Sequence, residues 1–578
     1  MDDELNDGGG GMQYSVSFIF EGKTVRVDAG STLLAAQIAA DLPADAPCGG
    51  KGTCKKCAVD FRRAGEAAWQ RALACQTVVD ADMEVRLLKA GEALQVMTEG
   101  SAAESVRWDP MVRAAKLRVP PCPRGESTSD WTRLKAALDP DTDWQPSPAI
   151  LRDLGRMLAE TKGEVWAVTA GDRVLDLRPD EPRVLMAAFD LGTTSIAGYL
   201  IDCDARRVAV TGGMRNPQAQ YGGDVISRAD YALEHGAKPL ADCAREAIDG
   251  LLRRMCAQAG EDPRQVYAVL VAGNTAMHHL FLGISPDSLV HAPYNPTVSE
   301  PLDVSAAHCG VGAHPAARLY LLPVIGGFVG ADTVACLISG DWLDREKLTL
   351  MIDIGTNGEL VLGNRHRRFA CSTAAGPALE GAKITCGMRG ADGAIDHVWL
   401  EAGQLRWHVI GDVPAQGICG SGLVDLVAAL LANGDLDESG RLEDGDRFDI
   451  GDTGVYLTQK DVREVQLAKA AIAAGILLLA RKLGVSVEDI EEVDIAGAFG
   501  NYIDPDSACA IGLIPAELRQ RIVPVGNAAG EGAKLALMDR SLWQSAEFIA
   551  RNTSFLELAT MPEFQDEYVD QLGFPEEE

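Results

Sequence analysis

The chain has 578 residues and a formal net charge of −31, with 47% hydrophobic and 24% charged residues. That length exceeds one ordinary domain, and the composition suits a globular protein able to bury sizeable cores. So acidic a surface repels phosphate backbones and anionic lipid heads, which excludes nucleic acid and membranes as main partners and favours a partner with a basic patch.

Residues 1–11, "MDDELNDGGGG", are acidic and glycine-rich. They are expected to be a disordered tail, neither a secretory signal nor a transit peptide. The longest apolar run, "AAIAAGILLLA" (470–480), is too short to span a bilayer. A cytoplasmic location follows as an expectation, with the scattered cysteines (Cys203, Cys243, Cys336, Cys371) reduced and buried.

Residues 12–95 alternate like strands. "QYSVSFIF" and "KTVRVDA" flank a turn at Glu21-Gly22, and "MEVRLLK" (83–89) is a further strand. "STLLAAQIAADL" (31–42) is an amphipathic helix with a serine cap. Between them lies "CGGKGTCKKC" (48–57), with Cys75 in "LACQT". Four thiols at C-x5-C-x2-C plus one seventeen residues later can hold zinc or an iron–sulfur cluster. A zinc ribbon has two C-x2-C knuckles; here there is one, in a loop whose glycines allow tight wrapping. Disulfides are the remaining alternative. The loop resembles that of the 2Fe–2S ferredoxins, in its longer, adrenodoxin-like form. The resemblance implies a β-grasp fold, with Cys48, Cys54, Cys57 and Cys75 as the metal ligands.

Residues 96–125, with prolines at 120, 121 and 123, read as a flexible linker. A small α+β middle domain follows at 126–183, with helices in "DWTRLKAALD" and "AILRDLGRMLAET" and a hairpin of "GEVWAVTA" and "DRVLDLRP". From 184 to 562 the pattern is strand, glycine turn, helix, repeated, an α/β architecture. The helix over 461–482 has Thr458 and Asp461 at capping-box spacing and Gly484 at its end. Residues 563–578 read as a C-terminal tail.

Two strand ends nearly repeat each other, "FDLGTTS" (189–195) and "IDIGTNG" (352–358). Asp190, then Gly192, Thr193, Thr194 and Ser195, close the first; Asp353, then Gly355, Thr356, Asn357 and Gly358, close the second. Glycine lets backbone approach a phosphate, hydroxyls and N–H groups donate to it, and a carboxylate can hold hydrated magnesium. "VDIAGAFGN" (493–501) adds Gly497, Ala498 and Gly500, with room for a nucleoside, and "GNAAGEGAKLAL" (526–537) starts a helix rich in small residues. No P-loop pattern is present. Any one of these could be an ordinary strand-to-helix turn. Together they resemble the ATPase superfamily of acetate and sugar kinases, heat-shock chaperones and actin. That implies a duplicated RNase H-like domain clamping Mg·ATP. Asp190 and Asp353 then match the catalytic carboxylates, and residues 192–195, 355–358, 497, 498 and 500 match the nucleotide-binding loops. The third loop departs from the family's glycine pair by reading G-A-F-G.

An iron–sulfur module carries electrons and cannot use ATP; the ATPase clamp does the reverse. Fused, they suit an electron pushed uphill. About 59 mV of one-electron potential is ~1.4 kcal/mol, so a gap of roughly 200–300 mV needs about 5–7 kcal/mol. The order of modules, with "YGGDVISR" (221–228), "VAGNTAMHHLFLG" (271–283), "STAAGPALEG" (372–381), "GICGSGLVD" (417–425) and "PEFQDEYVDQLGFP", resembles the reductive activators of corrinoid-dependent methyltransferase systems. The resemblance implies a 2Fe–2S cluster, ATP and Mg2+ as cofactors, and a corrinoid protein and a low-potential electron donor as partners. It further implies a homodimer. Within these stretches His278 and His279 read as packing, with contact to cofactor or nucleotide as the alternative, Ser372 and Thr373 as loop structure or as groups facing phosphate or cobalt, and Asp224 with Arg228 as a helix pair or a wall of the cleft. Rival readings are an ATP-driven donor to another low-potential enzyme, a small-metabolite kinase with a redox appendage, and a chaperone-like ATPase.

Overall fold

The computed structural model describes residues 12–40, 42, 50, 52, 57–87, 107–355, 357–381, 383–500 and 502–576, without the side chains of 498 and 499. The expected tail at 1–11, Cys48, Cys54 and Thr356 lie outside them. The chain divides into two compact units, one of residues 1–94 with 217–240 and one of 95–216 with 241–578. Among the described residues no helix is long and apolar enough to cross a membrane.

In the first unit five strands form one sheet, in the order Lys23–Asp28, Gln13–Phe18, Met83–Leu87, Ala58–Arg63, Gln70–Leu73. The first and last strands in sequence are parallel neighbours, Val16 facing Met83. One face packs on the helix Leu33–Ala39, burying Val16, Phe18, Leu33, Val59, Phe61 and Val85. This is the expected β-grasp. The helix cap is Thr32, whose hydroxyl accepts from the Ala35 N–H, rather than the expected Ser31. In residues 217–240 the helix Val225–His235 carries a capping box of Asp224 and Ser227. Arg228 is fully buried and donates to the Gly222 carbonyl and to Gln218. Asp224 is thus a cap and Arg228 a structural cation, which answers the question left by their four-residue spacing.

In the second unit the expected linker contains a strand. Val112–Arg118 pairs antiparallel with Glu164–Ala170 and completes a four-stranded sheet with Arg173–Arg178 and Gln145–Pro146. The cluster of prolines behind it hid the short alternation V-R-A-A-K-L-R. Just before this strand, Asp109 and Met111 bond the backbone of Met538 and Leu537. The helices Asp130–Ala137 and Pro148–Glu160 cover the sheet, each opened by a serine cap.

The rest of this unit is built on two six-stranded sheets. The first runs Arg207–Arg215, Ser195–Asp202, Leu185–Leu191, Val266–Ala272, Arg318–Leu321, Leu302–Ser305. The second runs Thr553–Phe555, Arg368–Thr373, Gly358–Gly363, Thr349–Ile354, Glu492–Ala496, Ile522–Gly526. Each has an antiparallel meander of three strands whose first member then pairs in parallel with a later strand. The repeat seen in two seven-residue motifs is therefore a repeat of topology. The helix Gln459–Leu483 backs the second sheet, with the Thr458–Asp461 capping box and Gly484 at φ +80° as expected.

Residues 563–578 were expected to be a tail, and most of them are docked. The helix Pro562–Asp570 is followed by a strap that returns to Gln459–Leu483. Arg481 bonds Glu567, Gln466 donates to the Leu572 carbonyl, and buried Lys469 donates to the Gly573 carbonyl. Phe574 is 5% exposed beneath this Lys469 contact. Its burial is invisible in the polar run around it. Replacing Phe574 by alanine is expected to destabilise this half by about 3 kcal/mol, the cost of emptying an aromatic site. Urea or thermal unfolding would read it; an unmoved transition would mean the strap is not docked.

Candidate functional site

Asp190 sits at the end of the strand Leu185–Leu191 and Asp353 at the end of Thr349–Ile354, the same place in each repeat. Neither forms an ion pair among the described residues. Burial pushes the Asp190 carboxyl up to about 6, although the Asn527 amide donates to it at 3.0 Å. Burial and then the Asp190 charge push Asp353 up to about 7. Two further carboxyls feel the same field. Asp332, in the first turn of the helix Ala331–Ser339, is pushed up to about 7 by burial and then by Asp353. Glu359 lies directly opposite Asp353 in the antiparallel register and is pushed well above the usual range by burial, then by Asp332 and Asp353. The Cys336 thiol lies 4.0 Å from an Asp353 oxygen and is held fully protonated there by burial and these charges.

Four acids in one field, Glu359 buried and the three aspartates partly so, with no ion pair among the described residues, form a site short of positive charge. A divalent cation would relieve that deficit, because a cation on carboxylates reverses the penalty that burial imposes. The residues present fit magnesium carried by a nucleotide.

The glycine loops meet the same place. The Thr193 hydroxyl accepts from the Asn274 amide at 2.9 Å, and the Thr194 hydroxyl donates to Glu380 at 3.1 Å. Asn216 ties the loop down, its N–H to the Thr194 carbonyl and its side chain to the Gly192 carbonyl. A Cβ on Gly192 would press on the Ser195 carbonyl at 2.9 Å. In the second loop the Gly355 N–H bonds the Asn357 carbonyl, and a Cβ on Gly355 would stand 3.7 Å from Glu380. Glu380 therefore touches one loop and stands by the other. Gly497, at φ +88°, is required where it is, since a Cβ there would come within 2.8 Å of an Asp353 oxygen. Gly500 has a different task. A Cβ there would strike Ile495 at 2.3 Å, so it lets the short turn 497–500 close on its own strand. Gly358 likewise packs beside Thr373, whose hydroxyl donates to its carbonyl. Ser372 donates to Glu359 at 3.3 Å, so this strand borders the acid cluster. His278 and His279 are buried in the helix Thr275–Leu282.

Motif reading singled out Asp190, Asp353 and the loops, which the structure brings together; it did not single out Asp332, Glu359, Asn274, Asn527 or Glu380, which stand beside them. Of these, Glu359 was within reach, because two strands joined by so short a link pair Asp353 with Glu359.

The second site is in the first unit. Cys57 ends the cysteine loop and Cys75 sits in a single helical turn. Both thiols are buried, and their Sγ atoms are 3.3 Å apart. Two thiolates on one tetrahedral metal ion stand about 3.7 Å apart at metal–sulfur distances of ~2.3 Å. The pair fits a shared metal after a small outward shift. Gly50 and Gly52 adopt φ of +81° and +75°, and the Gln76 amide reaches the Gly50 carbonyl at 2.8 Å and Cys75 Sγ at 3.8 Å. The Gln76 amide is thus a donor beside the Cys75 sulfur.

Comparison with known proteins places the whole chain. Residues 13–89 match the family model described as a 2Fe–2S iron–sulfur cluster binding domain. Residues 101–183 match the RACo linker region, 185–344 the RACo middle region, and 347–578 the C-terminal domain of RACo, the ASKHA domain. The corrinoid activation enzyme RamQ of Eubacterium limosum is 36% identical, over 92% of this chain and 94% of its own. The [Co(II) methylated amine-specific corrinoid protein] reductase of Methanosarcina barkeri is 29% identical, over 67% and 76%. A solved reductive activator for corrinoid, iron–sulfur protein superposes with a TM-score of 0.75 at 30% identity, covering 97% of this chain and 98% of its own. With a ferredoxin domain at one end, an actin-like ATPase domain at the other and a relative of this identity along nearly its whole length, the chain belongs to the family of reductive activators of corrinoid proteins.

Proposed function

We propose that this protein uses ATP to drive the reduction of an inactive Co(II) corrinoid protein to Co(I) in a methyltransferase system. A 2Fe–2S cluster, when bound, supplies a one-electron carrier. Cys57 and Cys75 would hold one side of it, with Cys48 and Cys54 on the other. The burial of Cys57 and Cys75 keeps water from their sulfurs, and the Gln76 amide lowers the cost of charge on Cys75. The external reductant is a low-potential donor.

At the other end, Asp190 and Asp353 would hold the magnesium of a bound nucleotide, with Asp332 and Glu359 behind them. Thr193 and Thr194 would face its phosphates. Each half contributes one loop and one carboxylate. Phosphate bound between them would draw the two sheets together, and its loss would let them part. That cycle gives the protein two states with different affinity for the corrinoid partner, which an uphill transfer needs. The observation that carries the proposal is the pairing, in one chain, of a buried thiol pair 3.3 Å apart and an acid cluster, without ion pairs among the described residues, shared by two repeated loops.

The test is a visible spectrum. Purified protein, Mg·ATP and a low-potential reductant are added to a Co(II) corrinoid protein. Absorption of Co(I) is expected to rise with ATP and to stay low without it. Equal Co(I) without nucleotide, or a phosphorylated metabolite in place of free phosphate, would refute the proposal.

A further inference from the structure

Two asparagines do the same double duty. Asn274 caps the helix Thr275–Leu282, its side-chain oxygen accepting the Met277 N–H at 2.9 Å, and its amide nitrogen donates to the Thr193 hydroxyl at 2.9 Å. Asn527 caps the helix Ala528–Met538, accepting the Gly530 N–H at 2.7 Å, while its amide nitrogen donates to Asp190 at 3.0 Å. In sequence the two stand as "AGNTA" (272–276) and "VGNAA" (525–529), each directly after a strand.

Neither amide can be turned round. Each oxygen is fixed by a backbone N–H, which can only donate, so each nitrogen must face the site. The Asn274 position is itself pinned, since a Cβ on Gly330 would come 2.4 Å from its Cα. A hydroxyl that accepts from an amide sends its own hydrogen elsewhere. Thr193 is thereby set as a donor, the polarity a phosphate oxygen requires. Asp190, receiving the second amide on one oxygen, keeps its carboxylate plane fixed.

We infer that Asn274 is a positioning residue that orients the Thr193 hydroxyl as a hydrogen-bond donor to a nucleotide phosphate, with Asn527 holding Asp190 in the same way. The inference rests on the nucleotide reading of the site. It also ties the first loop to a helix end, so a phosphate that pulls on Thr193 pulls on the helix Thr275–Leu282 as well.

Asn274→Asp is the decisive variant. Aspartate caps a helix as well as asparagine does, so the fold should hold, with the thermal transition within about 2 °C. It reverses the polarity at one atom, because a carboxylate can only accept. The Thr193 hydroxyl must then donate to residue 274 and turns its lone pairs to the phosphate. Binding of the magnesium complex of a non-hydrolysable ATP analogue to the full-length protein is expected to weaken at least ~10-fold. Asn274→Ser keeps a cap, adds no charge and removes the amide, and should weaken binding less, about 3-fold. The double variant Thr193→Val with Asn274→Asp should bind within about 2-fold of Thr193→Val alone, since both act through one hydroxyl. Additive losses would mean that Asn274→Asp acts through charge repulsion and would overturn the inference. So would wild-type affinity in Asn274→Asp. A wild-type protein that binds no analogue at all would overturn the nucleotide reading itself.

Discussion

Replacing Cys75 by serine is expected to bleach the protein and to cut Co(I) formation at least ~100-fold while leaving ATP hydrolysis within about 2-fold. The thiolate is the ligand, and a serine hydroxyl stays protonated where a cysteine does not. Cys75 is 7% exposed and its Sγ lies 3.3 Å from Cys57, so no water-filled space offers a substitute. A 100-fold loss is about 2.7 kcal/mol of barrier, modest for deleting the carrier altogether. The ATPase half should not notice, because the ferredoxin module has its own core of Val16, Phe18, Leu33, Val59 and Val85, and the acid cluster draws on other strands. The measurements are the visible spectrum, the Co(I) yield and phosphate release on one preparation. Full cobalt reduction by the serine variant would remove the cluster from the mechanism and favour a chaperone-like ATPase. A colourless wild type with zinc bound would do the same.

Sequence carried the fold far, for a physical reason. Asp190 and Asp353 each follow a run of buried apolar residues and precede a glycine turn, and such local patterns survive in one dimension. The cysteine loop did so as well, because ligand spacing is a local constraint. What stayed hidden depends on register and packing. Asp332 enters the cluster from a helix after a glycine-rich loop, and nothing in "GADT" says which strand end it will meet. Asn527 reads as a plain helix cap until Asp190, 337 positions away in sequence, is seen against it. The strand Val112–Arg118 was masked by neighbouring prolines, and the docking of Phe574 by acidic residues around it. In the third loop, Gly497 makes room against Asp353 whereas Gly500 packs on Ile495, a division of labour no motif could assign.

Asp353→Asn is the sharper test of the ATPase half, because its two consequences have opposite signs. Asp353 is part-buried, and its carboxyl is pushed up from 3.8 to about 7, first by its removal from water and then by the Asp190 charge. In the nucleotide-free protein the folded state thus holds a proton that the unfolded chain releases from about pH 4 upward. The stability this proton confers is complete below pH ~4 and is lost as pH rises through ~7. Asparagine has the same shape and no charge to bury. The variant should match the wild type near pH 4 and exceed it at pH 8, by on the order of 2–4 kcal/mol in the transition of the ATPase unit. Function should move the other way. Without that carboxylate a magnesium nucleotide loses a fixed negative charge at its cation, and ATP hydrolysis should fall ~10²–10³-fold, the usual cost of one preorganised electrostatic contact. Co(I) formation should drop to its level without nucleotide, and the iron–sulfur spectrum should not change. A protein at once more stable and inactive is what strain stored for ligand binding predicts, whereas a merely structural Asp353 would make the variant less stable at pH 8 and leave hydrolysis intact.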